Sequence, residues 1–208
     1  MRTTITHGTT LVDHLLPART RETKSAGLVR DGLLIIGFSL FLALCARVSF
    51  HLPFTPVPIS LQTLAVLLSG AALGSRRGAL AMLVYLAEGI AGLPVFVGGA
   101  GLAYLAGPTG GYLVAFPFAA FAVGWLCEQG LDRRYLTSAL AMLPGSVIIY
   151  ALGMAWLAVL LHGNLTRAFV LGVLPFIPGD LLKLIVAAAL LPTAWMIVRV
   201  VRSGRTSR

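Results

Sequence analysis

The sequence predicts an all-α integral membrane protein with six transmembrane helices. Of its 208 residues, 58% are hydrophobic and 11% are charged, and the mean hydropathy is +0.91. Soluble domains average about 45–50% apolar and about 25% charged residues. Apolar runs near the length that a span needs, roughly 20 residues, occupy most of the chain. A β-barrel would instead show alternating segments of about ten residues, and the sequence contains none.

Six apolar runs are predicted as helices, and the predicted bounds in chain order are 32–50, 57–74, 78–94, 111–128, 137–161 and 179–201. They divide the chain into a basic cytoplasmic tail, a membrane domain and a short cytoplasmic tail, at residues 1–30, 31–201 and 202–208. The first tail lacks the apolar core of a signal peptide. The runs leave no room for a soluble domain.

The positions of the basic residues predict the orientation of the helices. The net charge is +9, and arginine and lysine gather in the two tails and in the loops after the second and fourth runs. The alternate loops contain only Arg167. Because cytoplasmic loops carry the excess of Lys and Arg, both termini are predicted to be cytoplasmic, with loops 1, 3 and 5 outside. We assign the charge to topology and to anionic membrane lipid, and expect no nucleic-acid partner.

Polar side chains inside the apolar runs lie toward the predicted outer ends. Asp180 and Lys183 open the sixth run, "FIPGDLLKLIVAAALLP", and Gln62 lies near the outer end of the second. Residues three apart share a helix face, so the acid and the base form either a local ion pair or a ligand site open to the outside. Glu88 of the third run either forms an interhelical hydrogen bond or pairs with Arg47, or it belongs to the site.

The third loop is predicted to fold back over the bundle. It reads "LPVFVGGAGLAYLAGPTGGYL", and it is long, apolar and rich in glycine. An exposed loop should be polar, so its aromatic side chains are expected to face the protein. Its glycines allow close backbone approach to a ligand. "GPTGG" lacks the lysine and the hydroxyl residue of a phosphate-binding loop.

The motifs of enzymes and ATPases are missing from the sequence. It has no nucleotide-binding GK[ST], no HExxH and no GxSxG. We therefore expect no enzymatic activity, no metal and no cofactor. A membrane chain that binds at one leaflet without an energy source is typical of a capture subunit.

Four segments together resemble the BioY family, the substrate-capture (S) components of energy-coupling-factor biotin transporters. They are "FTPVPISLQTLAVLLSGAALG" (54–74), "GLPVFVGG" (92–99), "GPTGGYLVAF" (107–116) and "FIPGDLLKLIVAA" (176–188). The resemblance covers about residues 32–200. It implies high-affinity biotin binding near the outer surface of the bacterial plasma membrane. It also implies a membrane scaffold subunit and two ABC-type ATPases as partners, which alone use ATP.

The resemblance implies that Asp180, Lys183 and Gln62 bind biotin and that Gly98, Gly99 and Gly111 line its site. The chemistry of biotin agrees, because an acid accepts from the ureido N–H groups and a lysine donates to the carbonyl or to a carboxylate. The aromatic side chains expected to pack the sulfur ring are Phe96, Tyr112, Tyr150 and Trp156. Some relatives have an arginine in the glycine stretch where this chain has Ala100, so the group that neutralises the ligand carboxylate stays open.

Two alternatives remain at the level of the sequence. The chain is an S component for another small vitamin or precursor, or a structural membrane protein whose charges only pack helices. Affinity, oligomeric state and dependence on the ATPases are not readable from the residues.

Overall fold

Helices form most of the described part of the chain. The computed structural model describes residues 10–15 and 24–206, with side chains up to residue 198. The helices are α1 (Leu11–Leu15), α2 (Lys24–Arg47), α3 (Gln62–Leu73), α4 (Ser75–Ile90), α5 (Leu102–Leu105), α6 (Gly110–Glu128), α7 (Tyr135–Leu160), α8 (Leu165–Gly172) and α9 (Ile177–Thr206). A 3-10 turn at Leu131–Arg133 joins α6 to α7.

Six of these helices, α2, α3, α4, α6, α7 and α9, correspond to the six predicted runs. Among the described residues, four segments are long and apolar enough to cross a membrane. They are Lys24–Arg47, Gly110–Glu128, Tyr135–Leu160 and Leu165–Val198, the last of which contains α8 and most of α9. The α3 and α4 helices have 12 and 16 residues, so length and composition alone do not establish them as spans. The α2 helix begins at Lys24, inside the predicted basic tail.

The second run differs from its predicted helix at the start. The α3 helix begins at Gln62 rather than at residue 57. The preceding chain contains β2 (Ile59–Ser60), which pairs antiparallel with β1 (Ser49–Phe50). Proline fixes φ and disfavours helix in the residue before it, and Pro56 and Pro58 lie in this stretch. An apolar run interrupted by prolines therefore forms a short hairpin before it forms a helix.

The α6 helix lies at the centre of the bundle. Its apolar stretch is 67% buried, whereas that of α2 is 11% buried. It packs against α3, α4 and α7, and its small residues permit that contact. A Cβ atom on Gly70 of α3 would lie 2.4 Å from the carbonyl oxygen of Ala120 on α6. Such backbone contact between helices is typical of membrane proteins. In lipid there is no hydrophobic driving force between helices, and small residues allow the close van der Waals packing that holds them together.

A single glycine separates α3 from α4. Gly74 has a φ of +85°, in the region that favours glycine. The free amide of Ser75, which opens α4, donates to Glu128 Oε1 at 2.7 Å. Glu128 is the last residue of α6, so the carboxylate that caps α4 comes from a distant part of the chain.

Two carboxylates form polar contacts between elements at the end of the bundle opposite the start of α9. Asp13 of α1 forms an ion pair with Arg77 at 2.7 Å. Burial alone would raise the pKa of Asp13, but hydrogen bonds from Arg77 and Thr10 and the charge of Arg77 leave it below its usual value. Asp132 is 1% exposed and accepts from Trp195 Nε1 at 2.5 Å. Burial raises the pKa of Asp132, against the lowering effects of the Trp195 bond and the Arg133 charge.

We expect Gly70→Ala to destabilise the protein. The added methyl group meets the Ala120 carbonyl, and overpacking of this kind costs about 1–3 kcal/mol. Gly37→Ala is the matched control, because Gly37 lies in α2 with no atom within 4 Å of a Cβ there, so the substitution should be neutral or stabilising. Thermal unfolding in detergent measures both variants. Equal melting temperatures for the two variants would contradict the close contact of α3 with α6.

Candidate functional site

A narrow cavity lies between α3, α6, α7 and α9, near the first residues of α3, α6 and α9. The cavity has a volume of about 50 Å³ and is open to solvent. The lining residues are Val57, Pro58, Ser60, Gln62, Thr63, Val97, Tyr104, Thr109, Tyr112, Leu113, Phe116, Ile149, Tyr150, Phe176, Asp180 and Lys183.

Asp180 and Lys183 form an ion pair at one wall of the cavity. Lys183 Nζ lies 2.6 Å from Asp180 Oδ1, and the two side chains are 12% and 13% exposed. Asp180 lies in the first turn of α9, where the helix dipole stabilises a negative charge. The i, i+3 spacing thus brings the two side chains together as the sequence predicts. The contact agrees with both interpretations of the pair.

Side chains from two other helices add hydrogen bonds to the pair. Thr63 of α3 accepts from Lys183 Nζ at 3.1 Å and donates to Asp180 Oδ1 at 3.3 Å. Tyr150 of α7 donates to Asp180 Oδ2 at 2.5 Å. Buried charges are stable only when their remaining donors and acceptors are satisfied. The pair therefore holds the starts of α3 and α9 and the middle of α7 in fixed positions.

Gln62 connects the cavity to the loop after α4. Its Nε2 donates to Tyr85 Oη at 2.7 Å, and Tyr85 Oη donates to the Val95 carbonyl at 2.9 Å. Its Oε1 accepts from Ser60 Oγ at 3.2 Å. Both polar atoms of the amide are thus engaged, so Gln62 contributes interhelical support as well as cavity lining.

Aromatic rings form much of the remaining wall. The Tyr112 hydroxyl donates to the Gly172 carbonyl at 2.7 Å, and its ring meets that of Tyr150 edge-on, with centroids 6.5 Å apart. Tyr104 Oη donates to the Val97 carbonyl at 2.6 Å. These rings, fixed by hydrogen bonds at their polar ends, give the cavity an apolar surface that suits a small ring system.

Five of the nine predicted site residues line the cavity, and these five are Asp180, Lys183, Gln62, Tyr112 and Tyr150. The other four, Phe96, Gly98, Gly99 and Gly111, do not, and whether they contact a ligand stays a prediction. Phe96 is fully buried behind the wall, stacked on Tyr104 with centroids 5.3 Å apart.

Glycines beside the cavity make room for the aromatic rings. A Cβ atom on Gly99 would lie 2.3 Å from the ring of Tyr104, and one on Gly111 would lie 2.3 Å from Cβ of Trp156. Trp156 itself lies outside the cavity and donates to the Gly107 carbonyl at 2.9 Å. Gly99 and Gly111 thus pack against aromatic side chains.

Glu88 and Arg47 do not pair with each other in the structure. Glu88 Oε1 accepts from Ser39 Oγ at 3.0 Å, which joins α4 to α2. The Arg47 guanidinium donates to the Pro94 carbonyl. Of the two structural interpretations of Glu88, the interhelical hydrogen bond therefore agrees with the structure, and Glu88 lies outside the lining of the cavity.

The sequence analysis missed several lining residues, above all Thr63. Its signal was a hydroxyl side chain in the first turn of α3, at the end of the bundle where Asp180 and Lys183 also lie. Phe116 and Phe176 lay within the quoted motifs without being singled out. Tyr104 was assigned to the loop that folds back, and not to a ligand.

The chemistry of the site is that of binding. A carboxylate acceptor and an ammonium donor lie side by side, among neutral hydroxyl groups and aromatic rings. In the described part of the chain, no group of three or more His, Cys, Asp or Glu side chains is placed to hold a metal ion. The arrangement suits a small, mainly apolar ligand with adjacent N–H and carbonyl groups.

Known proteins are similar to the chain over most of its length. Residues 16–200 match the model of the BioY family. The biotin transporter BioY of Rhizobium etli is 42% identical over 170 residues, which are 77% of this chain and 90% of that one. The probable biotin transporter BioY of Pyrococcus horikoshii is 43% identical over 148 residues, which are 70% and 85% of the two chains.

A solved structure is similar as well. It is described as the crystal structure at 2.1 Å of the S-component for biotin from an ECF-type ABC transporter. The TM-score is 0.73 at 27% sequence identity, and the match covers 88% of this chain and 95% of that one.

The ion pair is expected to stabilise the ligand-free protein only as a pair. Lys183→Met should lower the unfolding temperature, because it leaves the Asp180 carboxylate without its counter-ion. The double variant Asp180→Asn with Lys183→Met should regain part of the loss, with a coupling of about 1–3 kcal/mol. Unfolding in detergent of the wild type, both single variants and the double variant gives the coupling. Purely additive effects would show that the contact contributes nothing to stability.

Proposed function

The chain belongs to the BioY family, and we propose that it captures biotin in this cavity for uptake, as the S component of an energy-coupling-factor transporter. It is a multi-pass protein of the bacterial plasma membrane, in a family of transport proteins and not of enzymes. The observation that carries the assignment of the site is the side-by-side acceptor and donor at Asp180 and Lys183.

The polar groups of biotin match the polar groups of the cavity. The ureido ring has two N–H donors and one carbonyl acceptor. Asp180 has about four lone-pair sites, of which Lys183, Thr63 and Tyr150 take three, so one remains for a ureido N–H group. Lys183 has three N–H groups, of which Asp180 and Thr63 take two. The third is available to the ureido carbonyl. Tyr112 and Tyr150 then offer ring surface to the apolar thioether ring.

The narrowness of the cavity implies that its walls move when the ligand enters. The volume of the cavity is about 50 Å³, whereas the volumes of pockets for small ligands are generally about 300–1,000 Å³. Tyr104 and Val97 come from the loop after α4, which has backbone freedom at Gly98 and Gly101, with φ of +75° and +83°. Their displacement, together with that of the short α5 helix that contains Tyr104, enlarges the cavity without any change in the other helices.

We propose six membrane crossings with both termini in the cytoplasm. The α3 helix spans about 18 Å at 1.5 Å per residue, and the four residues before Leu61 add at most about 13 Å at about 3.3 Å per residue. Together they approach the ~30 Å core of a bilayer. Their non-helical backbone lies beside the cavity, which is where a membrane protein tolerates it. The 16-residue α4 is short by a few ångströms, which local thinning of the bilayer accommodates.

The partners proposed are a membrane scaffold subunit and two ABC-type ATPases. The chain contains no nucleotide-binding motif of its own, so uptake against a gradient requires an energy source from outside. We propose that ATP is used only by those partners and that this chain needs no cofactor. Anionic lipid meets the basic segments at the cytoplasmic face.

Substitutions in the ion pair test the proposed function. Asp180→Asn and Lys183→Ala should each weaken biotin binding at least tenfold, about 1.4 kcal/mol, because each leaves a buried partner unpaired. Isothermal calorimetry in detergent measures the affinity. Arg167→Ala is the matched control, since Arg167 is an exposed cation of α8 outside the cavity.

The outcomes separate the possible functions. Wild-type affinity in both Asp180 and Lys183 variants would place the biotin site elsewhere. If biotin gives no binding and no thermal shift, but another vitamin stabilises the protein, the chain is an S component for that vitamin. No response to any vitamin would favour a structural membrane protein.

Reporter fusions test the proposed topology. Alkaline phosphatase fused after Gly163 should be active, because that loop is proposed to lie outside. The same reporter fused after Gly130 or after Arg208 should be inactive, whereas a fluorescent protein at those two points should fold in the cytoplasm. An active phosphatase after Arg208 would place the C-terminus outside and reject the proposed topology.

A further inference from the structure

The charges within the cavity sum to zero. Among the described residues that line it, Asp180 and Lys183 are the only acidic and basic side chains. The remaining polar groups are neutral amide and hydroxyl groups. Whatever enters the cavity therefore meets one negative and one positive charge that already neutralise each other.

The ammonium group of Lys183 is committed to that pair. It lies 2.6 Å from Asp180 Oδ1 and 3.1 Å from Thr63 Oγ1. A second carboxylate at Lys183 would place two negative groups around one cation, in a region where both side chains of the pair are less than 15% exposed. Like charges that share a buried site disfavour each other's ionised form, and a buried excess charge is costly. An anionic ligand group is thus disfavoured at this position.

The described cations near the cavity do not replace Lys183. The Arg47 guanidinium donates to the Pro94 carbonyl, and Arg167 is exposed on α8. Neither lines the cavity. A neutral group with both donors and an acceptor, in contrast, binds at the pair without changing the net charge.

Resting on the proposed function, we propose that this chain recognises biotin through its neutral ureido ring at Asp180 and Lys183 and makes no charge-dependent contact with its carboxylate. The ligands of the site then include biotin derivatives whose carboxylate is replaced by an amide. Two such ligands are biotinamide and biocytin, in which the carboxyl group is joined to lysine. The proposed substrates share the intact ureido–thioether bicycle, and their acyl chain ends either in a charged carboxylate or in a neutral amide.

Calorimetry on the purified full chain in detergent compares biotin, biotinamide and biotin methylated at one ureido nitrogen. Biotinamide should bind within about fivefold of biotin, about 1 kcal/mol, and the methylated ligand should bind at least tenfold more weakly. If biotin binds and biotinamide is weaker by more than fivefold, the charge of the carboxylate is recognised and this proposal fails while the biotin function stands. If biotin itself does not bind, the proposed function fails as well.

The variant Lys183→Gln provides an independent test. It removes the charge and keeps an N–H donor, so it should weaken biotin and biotinamide by the same factor. If Lys183→Gln weakens biotin at least fivefold more than biotinamide, Lys183 contacts the carboxylate and the proposal is overturned. Arg47→Gln is the matched control for a cation outside the cavity. A selective loss of biotin binding in that variant would assign the carboxylate to Arg47 and would also overturn the proposal.

Discussion

An acid and a base in an apolar bundle are stable when they are paired and when further hydrogen bonds support the pair, and this requirement organises the cavity. The contact between Asp180 and Lys183 is local to α9, but its completion is not, because Thr63 comes from α3 and Tyr150 from α7. Three helices are therefore fixed relative to each other at one point. The aromatic walls and the loop after α4 are arranged around that point. A ligand that binds there competes with the contacts that Asp180 and Lys183 make with each other and with Thr63.

Features that depend on short stretches of sequence were predictable. The bounds of α6 and α7 lie within two residues of their predicted runs, since long apolar segments leave few alternatives in a membrane. The meeting of Asp180 with Lys183 follows from helical spacing alone. In the third loop, Val95, Phe96 and Val97 are buried, as its apolar composition predicts, whereas Leu93 and Leu102 are exposed. The family follows from four motifs in order, which no single motif would establish.

Features that depend on distant contacts were not predictable from residues one at a time. Phe96 fills space behind the cavity because Gly89, on α4, leaves room for its ring, and no local pattern distinguishes that role from ligand contact. Thr63 acquires its role only when α9 is beside it. The late start of α3 reflects prolines inside an apolar run. The apolar residues of the run favour a helix from residue 57, but the prolines disfavour helical backbone in the residues before them. In each case the deciding neighbour is remote in sequence.

The carboxylate that caps α4 has a consequence for the order of assembly. Ser75 and its acceptor Glu128 are 53 residues apart, and synthesis proceeds at about 5–20 residues per second. The first turn of α4 thus leaves the ribosome roughly 3–10 seconds before its cap exists. During that interval, water or lipid headgroups must satisfy its free amides. The arrival of α6 therefore completes α4 as well as the centre of the bundle, and the α3–α4 hairpin acquires its final stability only after the 38 residues that come after Ile90, as far as Glu128, have followed it.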